Sequence, residues 1–364
     1  MGERASEDGH GPDRDRLRDY ARSVFGAMQG AVTAAMVNLG DRLGLYRALA
    51  GGGPVTSAEL AERTGLDERW VREWLRQQGA AGLLAWDDAE RFALPPEGVA
   101  VLADEDHPAF GAGLFGQLPR IMALLDRLPD AFRTGLGLPY DALGEGGALG
   151  VERGFAPWYR NFLVPLAIPA LDGVRERLER GARVADVGCG GGVALCTLAR
   201  AFPASEFHGY DISKHALARA AANLAEAGVA GVTFHDAAVD PLPADASFDL
   251  VLTFDCLHDM TRPAEAMRAI RAALRPDGTW LIADIKSHDS FRANALENPM
   301  AALMYGFSVM TCMSSALSEP GGAGLGTLGF PEATARAMTA EAGFTRFRTL
   351  DFGHPVNAFY EVRP

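Results

Sequence analysis

An apolar run ending in Asp186-Val-Gly188-Cys-Gly190-Gly-Gly192 reads as a buried strand that turns at once into a helix. Glycines in such a turn allow backbone angles closed to other residues and let a ligand come against the main chain, while the amides opening the next helix point outward as donors. The turn is therefore built for something anionic or polar. Phe207 to Tyr210 reads as a second strand ending at Asp211, 25 residues beyond Asp186, and Val232 to His235 as a third ending at Asp236. A carboxylate placed like Asp211 can accept both hydroxyls of a ribose. Further on, Asp255-Cys-Leu-His258-Asp259-Met260 follows a fourth apolar run, and Asp284 closes a fifth. An imidazole of near-neutral pKa can take a proton from a hydroxyl, and a neighbouring carboxylate fixes its tautomer and stabilises its charged form. The implied chemistry is a nucleoside-shaped ligand bound beside a candidate proton acceptor.

The elements that must position these residues are apolar strands separated by Ala-rich helical segments. That alternation describes an α/β domain whose acids lie along the carboxyl edge of a parallel sheet, where open sheets of this kind bind ligands. The glycine spacing departs from the Gly-x-Gly-x-x-Gly of dinucleotide sites. The ordered series, together with Phe248-Asp-Leu-Val-Leu-Thr-Phe254 and the Pro276-Asp-Gly278 turn between Leu274 and Asp284, resembles the class I S-adenosylmethionine-dependent methyltransferases over roughly the last half of the chain.

The resemblance implies a Rossmann-like seven-stranded methyltransferase sheet over residues 181–364, six strands parallel and the last antiparallel, closing with Phe344 to Phe352 and Asn357 to Val362. It implies S-adenosyl-L-methionine as cofactor and S-adenosyl-L-homocysteine as product. Gly188, Gly190 and Gly192 would border the methionine part, Asp211 the ribose, and Asp236 with Ala237 the adenine amino group, with Asp186, Ile212 and Phe254 also expected to bind the cofactor. In plant-type O-methyltransferases a Leu-x-x-His-Asp-Trp segment supplies the catalytic histidine. Here that role falls on His258 as general base with Asp284 orienting it, although Met260 stands where the family has tryptophan and Asp284 where it has glutamate. Asp259 is expected to cap the helix beginning near Pro263. A later acid of the plant enzymes has no counterpart; the glycine-rich segment Glu319 to Gly329 replaces it and reads as a mobile lid or a surface connection.

Upstream, residues 1–14 are charged and Gly-containing, a composition expected to be disordered. Apolar positions from Leu17 to Ala50 recur at helical intervals through two helices. Thr56-Ser-Ala-Glu59 is a capping box opening a helix to Thr64; a second helix runs from about Asp67 to Gln78, and Leu83 to Trp86 with Arg91 to Leu94 forms a wing. Residues 15–104 thus read as a mostly α winged-helix domain. Asp67, Glu68 and Glu73 balance Arg69, Arg72 and Arg76 on its second helix, whereas a DNA-reading helix is ordinarily more basic. The resemblance to winged-helix small-molecule methyltransferases implies a homodimerisation platform instead.

Residues 105–180 read as a helical linker and substrate cap: a Gly- and Pro-rich stretch from Gly135 to Gly154, then one long helix from about Pro157 to Glu179 carrying Trp158, Tyr159 and Phe162. Met300, Met304, Tyr305, Phe307, Met310 and Met313 offer an adaptable apolar surface. Both aromatic and Met-rich stretches fit a substrate wall, and both fit an ordinary core.

With a net charge of −13 over 364 residues, the chain is a poor ligand for polyanions, which are bound by clustered Lys and Arg. The expected partner is a small-molecule acceptor, not nucleic acid or membrane. No run approaches a membrane span and the amino terminus lacks a secretion signal, giving an expected cytoplasmic location. The four cysteines show no paired spacing, and His258, Asp284 and His288 show no recognised metal-ligand spacing, so no metal is expected. N- or C-methylation, a non-methylating use of the cofactor, and a cofactor-sensing DNA-binding regulator remain as alternative functions on the same fold.

Overall fold

The computed structural model describes residues 12–364 and divides into two compact units, residues 1–104 and 105–364. The expected disorder of the amino-terminal tail falls almost wholly outside the described residues. The first unit opens with a 29-residue helix, Arg14–Arg42, started by Asp13, whose carboxylate accepts the amides of Asp15 and Arg16. Leu17, Tyr20, Val24, Phe25, Met28 and Val32 are all exposed along it. Its carboxyl end is held by Trp74, whose indole N–H donates to the Met36 carbonyl at 3.0 Å and whose ring meets Tyr46 edge-on at 5.2 Å.

The helix-turn-helix follows as Ser57–Thr64 and Glu68–Ala80. The capping box is formed: the Thr56 amide donates to the Glu59 carboxylate and the Glu59 amide to the Thr56 hydroxyl. Ala85–Trp86 pairs antiparallel with Phe92–Ala93 as the wing. On the second helix Arg72 pairs with Glu68, Arg69 with Glu73, and Arg76 reaches the wing residue Glu90. Each of the three cations is matched.

The second unit is built on seven strands: β1 Arg183–Val187, β2 Glu206–Asp211, β3 Val232–Asp236, β4 Phe248–Phe254, β5 Leu274–Ile285, β6 Arg346–Leu350 and β7 Asn357–Arg363. Their spatial order is β3-β2-β1-β4-β5-β7-β6, with β7 antiparallel to both neighbours and the other contacts parallel. Period-two alternation sorts side chains to two separately buried faces. Val184, Leu250, Leu252 and Leu281 join one core with Leu195, Phe207 and Phe359. Ala185, Val251, Trp280 and Ile282 join the other with Phe248, Ile270, Phe330 and Tyr360. The Pro276-Asp-Gly278 turn lies inside β5 and produces an irregularity in its pairing with β4.

The glycine-rich stretch contains the α-helix Gly144–Trp158. Its glycines serve close packing, since a Cβ at Gly150 would stand 2.2 Å from the Gln117 side chain. One expectation for residues 105–180 is corrected: there is no single helix from Pro157 to Glu179. The chain widens to a π-helix over Tyr159–Ala167, tightens at Ile168–Ala170, breaks, and resumes as Val174–Arg180. Pro157 and Pro165 lack the N–H that an α-helical ladder requires, which is where the hydrogen-bond register slips.

Trp280 is fully buried and its indole donates to Thr253 at 3.0 Å across the β4–β5 pair. Trp280→Ala is expected to cost about 3–5 kcal/mol, read as a lowered urea midpoint. A change within about 1 kcal/mol would mean that the two-faced core is not the main source of sheet stability.

Candidate active site

The strand ends bring the chemistry together because β1, β2, β4 and β5 run parallel and present their carboxyl termini on one edge. After β1, Gly188, Gly190 and Gly192 all have positive φ, at 77°, 54° and 69°. Gly192 carries the tightest constraint: a Cβ there would lie 2.3 Å from the Phe234 ring. The Asp211 carboxylate accepts the Gly190 amide on Oδ2 and the Ser213 amide on Oδ1, each at 2.8 Å, so the end of β2 braces the glycine loop. Asp236 is exposed and accepts the Ala238 amide, while the Ala237 amide donates to the Asp211 carbonyl. Ala237 therefore has no amide to spare for a ligand. Ile212 is exposed beside them.

Asp186 is buried and its Oδ1 has no hydrogen-bond partner. Burial, and then Asp211, push its pKa up to about 8. A ligand bringing donors or positive charge would satisfy that carboxyl. The groups present thus fit S-adenosylmethionine, a cationic nucleoside: an orphaned acid beside the glycine loop, a second acid on β2 and an exposed third on β3.

At the end of β4 the short 3-10 turn Leu257–Asp259 holds His258 inside the protein. His258 Nδ1 lies 2.6 Å from Asp284 Oδ1 at the end of β5, and the same oxygen accepts the Ile285 amide at 2.7 Å. Asp284 Oδ2 is buried without a partner. Burial opposes the charged imidazole, but Asp284 and then Cys312 outweigh it, and the His258 pKa is raised well above its ordinary value. Asp259 does not cap the helix Pro263–Ala273, whose first turn has no side-chain cap. It turns inward instead, and burial pushes its carboxyl up to about 7.

Asp255, Tyr140 and Cys312 are site residues for which no role was read in the sequence. Asp255 has a positive φ of 49°, rare for a residue with a side chain, and accepts the Asn357 amide at 2.5 Å. Burial and then Asp284 bring its pKa to about 7. The Tyr140 hydroxyl is buried near Asp259, Asp211, Cys312 and Cys256, which raises its pKa. Tyr140 lies in an aperiodic Leu-Pro-Tyr stretch that carries no local signal; the acids flanking His258 were a visible one.

Of the expected wall residues, Trp158 stacks on Phe359 at 5.2 Å and packs half-buried against the core, as does Tyr159, whose hydroxyl is buried near Asp186 and Asp255. Phe254 packs against both rings, and Phe162 is half-buried. Met304 sits in a small cluster with Ile285, Ala301 and Leu328. Phe307 and Met310 pack instead on Ile121, Leu124 and Leu143. The segment Glu319 to Gly329 is pinned down: Ala323 donates to the Thr261 carbonyl, Gly326 to the His258 carbonyl and Thr327 to Ser308 Oγ. Its second half, Gly326 to Leu328, is buried against the site, while Glu319 to Gly321 are exposed. The His288 backbone amide donates to Asn294 Oδ1 and its carbonyl accepts from Asn294 Nδ2, and among the described residues no three metal-ligating side chains converge.

Residues 178–320 match the family described as a methyltransferase domain, and residues 31–104 match an Rv2258c-like winged HTH domain. The chain therefore carries a methyltransferase domain, with the sheet of the class I type, preceded by a winged-helix domain. Among curated proteins it is 39% identical over 100 residues to a ubiquinone biosynthesis O-methyltransferase of Ralstonia nicotianae, covering 27% of this chain and 41% of that one. It is 30% identical over 133 residues to its counterpart from Paracidovorax citrulli, covering 36% and 53%. The chain spans about half the length of these relatives. Human N-acetylserotonin methyltransferase in complex with SAM superposes with a TM-score of 0.66 at 18% identity, covering 98% of this chain and 99% of that one. The mitomycin 7-O-methyltransferase MmcR does so with 0.65 at 20% identity, covering 97% and 100%.

The raised acids carry a stability consequence. For Asp186 the folded pKa lies above the unfolded value, so between about pH 4 and pH 8 the folded state binds more protons and stability falls as pH rises. Asp255, Asp259 and His258 act in the same direction. The ligand-free protein is expected to melt progressively lower from pH 6 to pH 9, and Asp186→Asn to flatten that slope. An unchanged slope in the variant would show that Asp186 ionises freely in the folded protein.

Proposed function

We propose that the protein is an S-adenosylmethionine-dependent O-methyltransferase acting on a hydroxyl of a small, partly apolar metabolite. The observation that carries this reading is the buried 2.6 Å contact between His258 and Asp284, held at the same sheet edge as the glycine loop and Asp211. The similarity to O-methyltransferases supports the reaction class.

When bound, the cofactor supplies an electrophilic methyl group on a sulfonium. Gly188, Gly190 and Gly192 would admit its methionine part against the main chain, Asp186 would meet its positive charge, Asp211 its ribose and Asp236 its adenine amino group. The residues of the chain then have three tasks: to align the acceptor, to exclude water and to take the hydroxyl proton. Asp284 holds Nδ1–H and leaves Nε2 of His258 as the acceptor nitrogen. Apolar packing behind the site and the pinned glycine-rich segment keep it dry. The exposed apolar stripe from Leu17 to Val32 supports a homodimer formed through the first helix, and the matched arginines of the winged-helix domain give no support to DNA reading.

The experiment that tests the cofactor is calorimetric titration with S-adenosylmethionine, with Asp211→Ala as control. Saturable binding that Asp211→Ala weakens is expected; heats of mixing alone would end the proposal. Against a panel of phenols, His258→Ala should lower the rate of S-adenosylhomocysteine release by about 10²–10⁴-fold with cofactor affinity unchanged. Transfer that survives the substitution would point to an amine or a self-ionising acceptor. The base must be deprotonated to act, so the acid limb of the wild-type pH–rate profile is expected above pH 6.5, the ordinary histidine value, because Asp284 raises the pKa. A limb at or below that value would remove His258 from the role.

A further inference from the structure

A chain of side chains runs from the helix Gly144–Trp158 to the glycine loop, apart from His258 and Asp284. The Glu152 side chain is 9% exposed, and its carboxylate accepts Arg219 Nε and Nη2, each at 2.9 Å. Arg219 Nη2 also donates to Asn223 Oδ1 at 3.0 Å, and Asn223 Nδ2 donates to the Gly191 carbonyl at 2.9 Å. Arg219 and Asn223 lie four residues apart on the helix Lys214–Ala227 and so share a face. A guanidinium can only donate, so it takes the oxygen of Asn223 and leaves the NH2 for Gly191. The amino end of that helix is held by the same segment of chain: the Ser213 hydroxyl, which accepts the Ala216 amide, donates to Asp141 in the turn Tyr140–Leu143.

Gly191 is shaped to this contact. Unlike Gly188, Gly190 and Gly192 it has no positive φ, yet a Cβ there would stand 2.7 Å from Glu152 Oε2. The peptide joining Gly191 to Gly192 has glycine on both sides, where backbone freedom is greatest, and it opens the helix Val193–Ala201. Two hydrogen bonds set its plane. The Gly192 amide donates to the Cys189 carbonyl at 2.9 Å, and the Gly191 carbonyl accepts Asn223.

We propose that Glu152, Arg219 and Asn223 are positioning residues for the cofactor. Glu152 fixes the guanidinium, the guanidinium fixes the Asn223 amide, and Asn223 locks the Gly191–Gly192 peptide in the orientation that receives the methionine part of S-adenosylmethionine. The link to cofactor affinity rests on the methyltransferase reading. The locking of the loop does not.

The test is Asn223→Asp, which keeps the side-chain size and the oxygen for Arg219 but turns an acceptor toward the Gly191 carbonyl. In the cofactor-free full-length protein, hydrogen exchange of the amides of residues 188–193 is expected to quicken about tenfold, the share of one buried hydrogen bond, while the amides of β5 keep their rates. In calorimetric titration with S-adenosylmethionine the Kd is expected to rise about tenfold, with the melting temperature within about 2 °C of wild type. Glu152→Gln acts through the same bond, so the double variant is expected to bind no more weakly than Asn223→Asp alone. Unchanged loop exchange would overturn the locking. Faster exchange at unchanged Kd would overturn the positioning role, as would two substitutions whose losses add in full. Wild-type protein that binds no S-adenosylmethionine would instead end the cofactor reading and the affinity claim with it, and the exchange rates would still decide the loop.

Discussion

Buried negative charge is the constraint on which this structure depends. Asp186, Asp211, Asp255, Asp259 and Asp284 gather at the ends of β1, β2, β4 and β5. The groups that act most strongly on the first four are burial itself, one another, His258, Asp141 and nearby amides; no Lys or Arg is among them. Isolated carboxylates are too costly to bury. Each is therefore met locally: Asp211 by two amides, Asp255 by Asn357, Asp284 by His258 and the Ile285 amide, Asp186 by retaining its proton toward pH 8 and Asp259 by retaining its own toward pH 7. An edge of this kind is primed for a cation, and the sulfonium and ammonium of the proposed cofactor supply the charge it lacks.

The sheet makes that edge affordable. Both faces of β1, β4 and β5 are covered by separate apolar cores, so the strands that deliver the acids are among the most rigid parts of the chain. Rigidity matters because a hydrogen bond between His258 and Asp284, from different strands, is held at 2.6 Å only if the β4–β5 register does not drift. The glycine loop is fixed in the same way, from β2 through Asp211 and from β3 through the Phe234 ring that occupies the space beside Gly192.

Much of this was legible in the residues. Strand ends, the glycine loop and the capping box follow from short-range patterns, and those patterns are local physics: period-two burial, positive-φ glycines and reciprocal cap hydrogen bonds. What was not legible depends on distant contacts. The helix Gly144–Trp158 forms although glycine disfavours helices, because neighbouring chain packs where side chains would otherwise stand. Tyr140 enters the site from a segment with no periodicity of its own, and only packing against the strand ends assigns it a place. Trp158 shows how little residue type alone decides: it suits a ligand wall, and here it is half-buried, stacked on Phe359 and packed against the core.

The site also explains why a histidine so deeply buried can be useful. Alone, an enclosed imidazole would stay neutral and be a weak base. Asp284 reverses the balance, raising basicity while leaving one nitrogen for a reacting proton. The cost is that the same nitrogen, strengthened for an acceptor hydroxyl, is strengthened for any acidic proton that reaches it. Basicity built by a carboxylate does not discriminate between oxygen and sulfur, so selectivity has to come from geometry: which group the surrounding walls allow to rest against Nε2.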